Sequence, residues 1–195
     1  MDASQYIASL GPALERLAAE DLARIEGVLL RARDDGGSIF ILGNGGSAAT
    51  ASHLANDLNK GASVPGEPRF RAVALTDNVP LITAWANDTR YDRVFVEQLM
   101  NLLRAGDVVV AFSGSGNSPN VLAAVEWARG QGAVTIGFTG GTGGRLRAVA
   151  DYSVVVPADR MEHIEDLHLV VSHALSVSLR HRIAGGAALP LPGPR

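Results

Sequence analysis

The chain has 195 residues, 47% hydrophobic and 19% charged, which is length and apolar content for one domain with a substantial core rather than a disordered polypeptide. A formal net charge of −3 with no basic stripe argues against nucleic-acid binding by phosphate neutralisation, and the absence of cysteine excludes disulfides and thiolate metal sites. No apolar run reaches the roughly 18 residues of a membrane span, and "MDASQYIASLGPALERL" lacks the basic-then-apolar layout of a secretory signal, so a cytoplasmic protein is expected.

In chain order, residues 4–34 read as one or two helices. Leu10, Leu14, Leu17, Leu22, Ile25 and Leu29 recur at three- and four-residue steps. This arm precedes any strand, so its apolar stripe must pack on its own domain or on a partner subunit. "SIFIL" (38–42) then reads as a buried strand, running through "GNGGS" into an Ala-rich helix from about Ser47 to Asn59. "FRAVAL" (70–75) is a second strand, and "VPLITAWAND" and "YDRVFVEQLMNLL" read as helices. "DVVVAF" (107–112), "VTIGFT" (134–139) and "YSVVVP" (152–157) are three further strands. Between them lie the helix "PNVLAAVEWARGQ" and the Gly-rich turn and short helix "GGTGGRLRAVA", and a long helix closes the pattern at about 162–183. Strands alternating with helices predict an α/β domain over 1–184, a three-layer αβα sandwich with a five-stranded parallel sheet and an N-terminal helical arm. Residues 185–195 read as a mobile tail.

Two loops at strand ends carry chemistry. "AFSGSGNSPN" (111–120) follows an apolar strand and leads into a helix. Ser118 suits the N-cap and Pro119 the first helical position, and a helix N-terminus offers free N–H groups to an anion. Ser113, Ser115 and Ser118 add hydroxyls, and the loop has no Lys or Arg, which suits a sugar phosphate. "ILGNGGSAAT" (41–50) repeats the layout with Asn44 and Ser47. It also matches G-x-G-x-x-A, but the nearest acidic residue at a strand end is Asp77, 32 positions after Gly45, which is too far for a dinucleotide fingerprint.

Asp57 follows His53 by four residues, so both share a helix face. Glu165 and His173 on the last helix are eight apart, about 80° around the axis and two turns along. Two His and two carboxylates suit zinc or a similar divalent ion, or an acid–base pair without metal. His163, His168 and His181 read as surface or core residues.

"GNGGSAATASHLANDL", "AWANDTRYDRVF", "SGSGNSPNVLAAV" and "HIEDLHLVVSH" together resemble the SIS (sugar isomerase) domain family, in its phosphoheptose isomerase branch. The resemblance spans almost the whole chain. It implies a flavodoxin-like fold, a homotetramer with active sites between subunits, and a bound metal, usually zinc. The implied reaction is isomerisation of the sugar-phosphate substrate sedoheptulose 7-phosphate to a heptose 7-phosphate. It assigns Ser113, Ser115, Ser118 and Asn117 to the phosphate loop, Asn44, Ser47 and Asp88 to substrate contacts, and His53 and His173 to metal or acid–base roles. Several positions depart from the family pattern. Asp57 stands for a glutamate, Glu165 for a glutamine, Gly114 for a threonine and Glu162 for an aspartate. Gly61 replaces a basic residue, with Lys60 one position early. The resemblance thus implies a metal site of His53, Asp57, Glu165 and His173, with Asp57 or Glu165 as base. The competing readings are an isomerase of another ketose phosphate, a non-catalytic SIS regulator of replication initiation, and a sugar-phosphate sensor. No nucleic-acid or membrane partner is expected.

Overall fold

A computed structural model describes residues 1–186. The expected tail falls almost entirely on residues outside that range.

Five parallel strands form one sheet in the order β2-β1-β3-β4-β5: β1 (Ile39–Gly43), β2 (Ala72–Ala74), β3 (Val108–Phe112), β4 (Val134–Gly140) and β5 (Tyr152–Val156). β1 and β3 are buried at every position, which is why they read as unbroken apolar runs rather than alternating ones. Successive side chains still go to opposite faces. Ile39, Ile41, Val108, Val110 and Phe112 enter one core, with Leu54 and Leu58 of the chain after β1 and Leu167, Val171 and Leu175 of the last helix. Phe40, Leu42, Val109 and Ala111 enter the other, with Leu99, Val121, Val125 and Leu146.

The helices supplying the first core are α2 (Ala19–Asp34), α3 (Gly46–Asn56) and, named in order, the last helix α8 (Met161–Ile183). The second core takes α5 (Val96–Leu102), α6 (Pro119–Gly130) and α7 (Gly144–Val149). Two helices are only loosely covered. α4 (Val79–Asp88) has no buried residue. α1 (Ala3–Glu15) buries only Ala13 and leaves Ile7 70% exposed. The arm is therefore two helices, α2 built into the core and α1 docked on α8 by polar contacts. Tyr6 donates its hydroxyl to Asp166 at 2.6 Å, Ser9 and His163 Nε2 lie 2.9 Å apart, and the Tyr6 and His163 rings stack.

The chain leaves β1 for β2 on one side and returns to β3 on the other. That reversal splays the connections apart outside the carboxyl ends of β1 and β3, the place where open parallel sheets bind ligands. Both polar loops lie there.

α3 is shorter than its sequence suggested. It stops at Asn56 and continues as a single π turn over Asp57–Gly61, closed by the Ala62 N–H on the Asp57 carbonyl at 2.7 Å. The wide turn is unfavourable as repeating structure and tends to mark functional positions. Here it begins at Asp57.

Candidate functional site

The serine loop is held rigidly from behind. Gly116 adopts φ +66°, and a side chain there would run into the Gly143 carbonyl. The Leu146 N–H donates to the Gly116 carbonyl at 2.9 Å and the Gly140 N–H to the Gly114 carbonyl at 3.0 Å. The Gly-rich turn after β4 is thus the floor of the serine loop. Asn117 completes it: its amide donates to the Ser115 carbonyl (2.9 Å) and accepts from the Arg145 N–H (3.1 Å). Both ends of that amide are committed within the protein, so Asn117 shapes the loop. Ser113 is buried and its hydroxyl lies 3.2 Å from that of Ser118, while Ser115 is exposed. Ser118 occupies the N-cap position of α6 with extended backbone, but its hydroxyl makes no capping bond. It faces Ser113 instead, so the first N–H groups of α6 are not consumed by that cap. Gly114 leaves room for Met161, whose sulfur would collide with any side chain at 114.

The first loop reaches across to the second. Asn44 donates to Asn120 Oδ1 at 2.9 Å and accepts from Asn120 Nδ2 at 2.8 Å and from the Tyr91 hydroxyl at 3.1 Å. Asn44, Arg90, Tyr91, Ser118 and Asn120 line a cavity of about 390 Å³ between the loops. Ser47 is buried in the first turn of α3. Asp88 lies exposed at the end of α4, accepting from Asn87, and is not among the residues lining this cavity. Asn120, Tyr91 and Arg90 lie in segments singled out in the sequence, but nothing there marked them individually as site residues. Asn120 is an unremarkable polar residue until its partner, 76 positions away, is beside it.

About 10 Å farther along α3 from Gly46 stands the second half of the site. His53 and His173 meet with their Nε2 atoms 2.8 Å apart, and Asp57 Oδ2 lies 3.4 Å from the first and 3.8 Å from the second. Among the described residues these three form the group of His and carboxylate side chains able to share an ion. Tetrahedral ligands at about 2.0–2.1 Å from zinc would put donor atoms about 3.3 Å apart. Three donors already converged at 2.8–3.8 Å match that spacing with little adjustment. Side-chain exposure of 42% for His53 and 50% for His173 leaves the ion side open, while Asp57 is 16% exposed. Asn56 donates to the other carboxylate oxygen of Asp57 at 3.4 Å. A second cavity, about 570 Å³, opens beside the triad along Gly61, Ser176, Val177 and Arg180.

Glu165 does not join this group. Its carboxylate packs on Gly46, so closely that a Cβ at 46 would overlap it. The side chain leans toward the N-terminal turn of α3, where the helix dipole favours negative charge. The eight-residue spacing to His173 is real, but two turns of α8 separate the two groups. His168 is fully buried, its Nε2 3.2 Å from the Thr139 carbonyl. Burial pushes its pKa down to about 4, against an opposing contribution from that hydrogen bond. His163 is the buried partner of Ser9 already described. Both are structural residues.

These features recur in known proteins. The SIS domain family profile matches residues 5–140. A phosphoheptose isomerase of Solidesulfovibrio magneticus is 44% identical over 146 residues, 75% of this chain and 71% of that protein. One from Akkermansia muciniphila is 40% identical over 167 residues, 86% of each chain. The solved phosphoheptose isomerase of Neisseria gonorrhoeae superposes with a TM-score of 0.84 at 34% identity, covering 90% of this chain and 95% of that one. On fold, sequence and shared length, the chain belongs to the SIS domain family, in its phosphoheptose isomerase branch.

Proposed function

We propose that this chain is an aldose–ketose isomerase that converts sedoheptulose 7-phosphate to a D-glycero-heptose 7-phosphate through an enediol(ate). The observation that carries the reading is the pairing of a serine-rich loop at the switch point with the His53–Asp57–His173 triad, carried by α3 and the π turn that follow the neighbouring loop and by α8.

Ser113, Ser115 and Ser118 and the α6 N-terminus hold the phosphate. Asn44 and Ser47 contact the sugar, and Asp88 takes a hydroxyl from α4. When bound, a divalent ion held by His53, Asp57 and His173, zinc by its ligand set, supplies Lewis-acid stabilisation of developing negative charge. A carboxylate, Asp57 or Glu165, removes the proton from the carbon beside the carbonyl. In a metal-free site His173 handles the proton on the neighbouring oxygen, and the same carboxylate returns its proton to the adjacent carbon. The hydrogen moves within the substrate, so the reaction consumes no redox cofactor.

We assign residues 1–184 to one folded SIS unit that works as a homotetramer in the cytoplasm, with each site finished by a neighbouring subunit. The exposed rims of His53 and His173, Val177 at 62% exposure and the uncovered α1 and α4 support that assembly. No helix among the described residues is long and apolar enough to cross a membrane.

The test is metal analysis of the purified protein together with turnover of sedoheptulose 7-phosphate with and without a chelator. About one ion per chain and chelator-sensitive isomerisation are expected. Metal without turnover on this ketose would move the reading to another sugar phosphate, and neither would sink it.

A further inference from the structure

The Asn44–Asn120 pair stands out because nothing in the fold requires it. Both residues sit on ligand loops, Asn44 after β1 and Asn120 in the first turn of α6, and their amides face one another in a closed two-bond ring. Asn120 is 2% exposed, and its Oδ1 accepts from the backbone N–H of Val121 as well. The Tyr91 hydroxyl, arriving from the turn after α4, donates to Asn44 Oδ1.

Hydrogen-bond capacity then fixes what Asn44 can offer. An amide oxygen has two acceptor sites and an amide nitrogen two N–H donors. Both acceptor sites of Asn44 are filled, by Asn120 and Tyr91, and one of its N–H groups is spent on Asn120. One N–H is left. Asn44 is partly exposed at the cavity that also holds Ser118.

We propose that Asn120 and Tyr91 are positioning residues that lock the Asn44 amide in one orientation, so that the first loop presents a single N–H donor to a substrate oxygen beside the phosphate loop. The proposal rests on the sugar-phosphate reading above. The clamp also ties the two loops at a fixed separation, so the sugar and the phosphate are held in one register. Without it the amide is free to rotate and present its oxygen, which would repel a carbonyl or ether oxygen at the same place.

The test is a double-mutant cycle. Asn44→Ala and Asn120→Ala are each expected to lower kcat/KM for sedoheptulose 7-phosphate about tenfold, the value of one hydrogen bond to a bound ligand. If Asn120 acts only through Asn44, the double variant loses about tenfold as well, not a hundredfold. Asn120→Asp keeps the size and the acceptor for Asn44 and Val121 but sets a carboxylate oxygen against Asn44 Oδ1. It is expected to lose at least as much as Asn120→Ala, and to melt below the parent because it buries a charge against Asn44 Oδ1. Tyr91→Phe, at an exposed side chain that the fold does not depend on, should cost about threefold and be silent in the Asn44→Ala background. Additive losses, or full activity in Asn120→Asp, overturn the clamp. The same cycle run on the dissociation constant of sedoheptulose 7-phosphate by calorimetry separates the two readings. Non-additive binding without turnover keeps the clamp and sinks the isomerase. Turnover with additive losses does the reverse, and no binding by the parent chain overturns both.

Discussion

Asp57 and Glu165 are the two carboxylates that the proposed mechanism draws on, and their surroundings differ. Asp57 stands between two imidazoles, whereas Glu165 stands over Gly46. Asp57→Asn keeps the shape and removes the charge, so it should strip the ion and lower kcat by at least about a hundredfold. Glu165→Gln should lower kcat by a similar factor with the ion retained. Metal content by mass spectrometry beside kcat reads both, and loss of the ion in Glu165→Gln would make Glu165 a ligand. His168 gives a different readout. Its imidazole is neutral in the fold, with a pKa of about 4 against the usual 6.5. The unfolded chain therefore takes up the proton first, and the contribution to stability is intact above pH 6.5. It is lost as the pH falls from there toward 4, by about 3 kcal/mol at most, because each tenfold change in proton affinity is worth roughly 1.4 kcal/mol. Thermal unfolding of the parent and of His168→Gln across pH 4–7 should show the variant with the shallower slope.

At the scale of elements, the loops are shaped by what lies under them. Gly144 has φ +54°, and a Cβ there would overlap the Ser115 carbonyl. Gly144→Ala pushes the floor into the serine loop. It should raise KM by about tenfold with a much smaller change in kcat, because the proposed phosphate grip is lost while the triad, on α3, the π turn and α8, is untouched. A fall in kcat of the same size would mean that the loop also sets the reacting end. The π turn at Asp57 is the other element-level device. It begins at Asp57, whose carbonyl accepts from Ser176 of α8 at 3.5 Å. Gly61 lies at the close of that turn, where a Cβ would stand 3.2 Å from the Ser176 hydroxyl. With glycine at 61, that space belongs to the cavity lined by Ser176, Val177 and Arg180 among others.

For the whole molecule, the question is what covers α1 and α4. α1 is tied to α8 by Tyr6 and Ser9 but shows Ile7 outward, and α4 shows Val79 at 60% exposure. Such surfaces in one chain match an assembly of several. Light scattering of the purified chain should give a four-chain mass, and Ile7→Asp should shift it to smaller species with loss of activity. A monomer with full activity would remove the shared-site reading.

The alternation of strands and helices was legible because strands buried on both faces must be short, apolar and β-branched, and the linking helices must carry a three-to-four residue stripe. The glycine-serine loops were legible for a related reason, since backbone crowding and exposed helix N–H groups demand small and hydroxylic residues at the position itself. His53 and Asp57 could be paired from a four-residue spacing alone. What the sequence could not settle was every contact across elements: that His173 and not Glu165 meets His53, that Asn44 finds Asn120, that Asn117 turns back on its own loop. Local rules act over one helical turn or one strand pair, whereas these contacts depend on how α8 lies across α3 and how the chain reverses between β1 and β3. Only packing of the two cores decides that, by fixing where remote side chains come to rest.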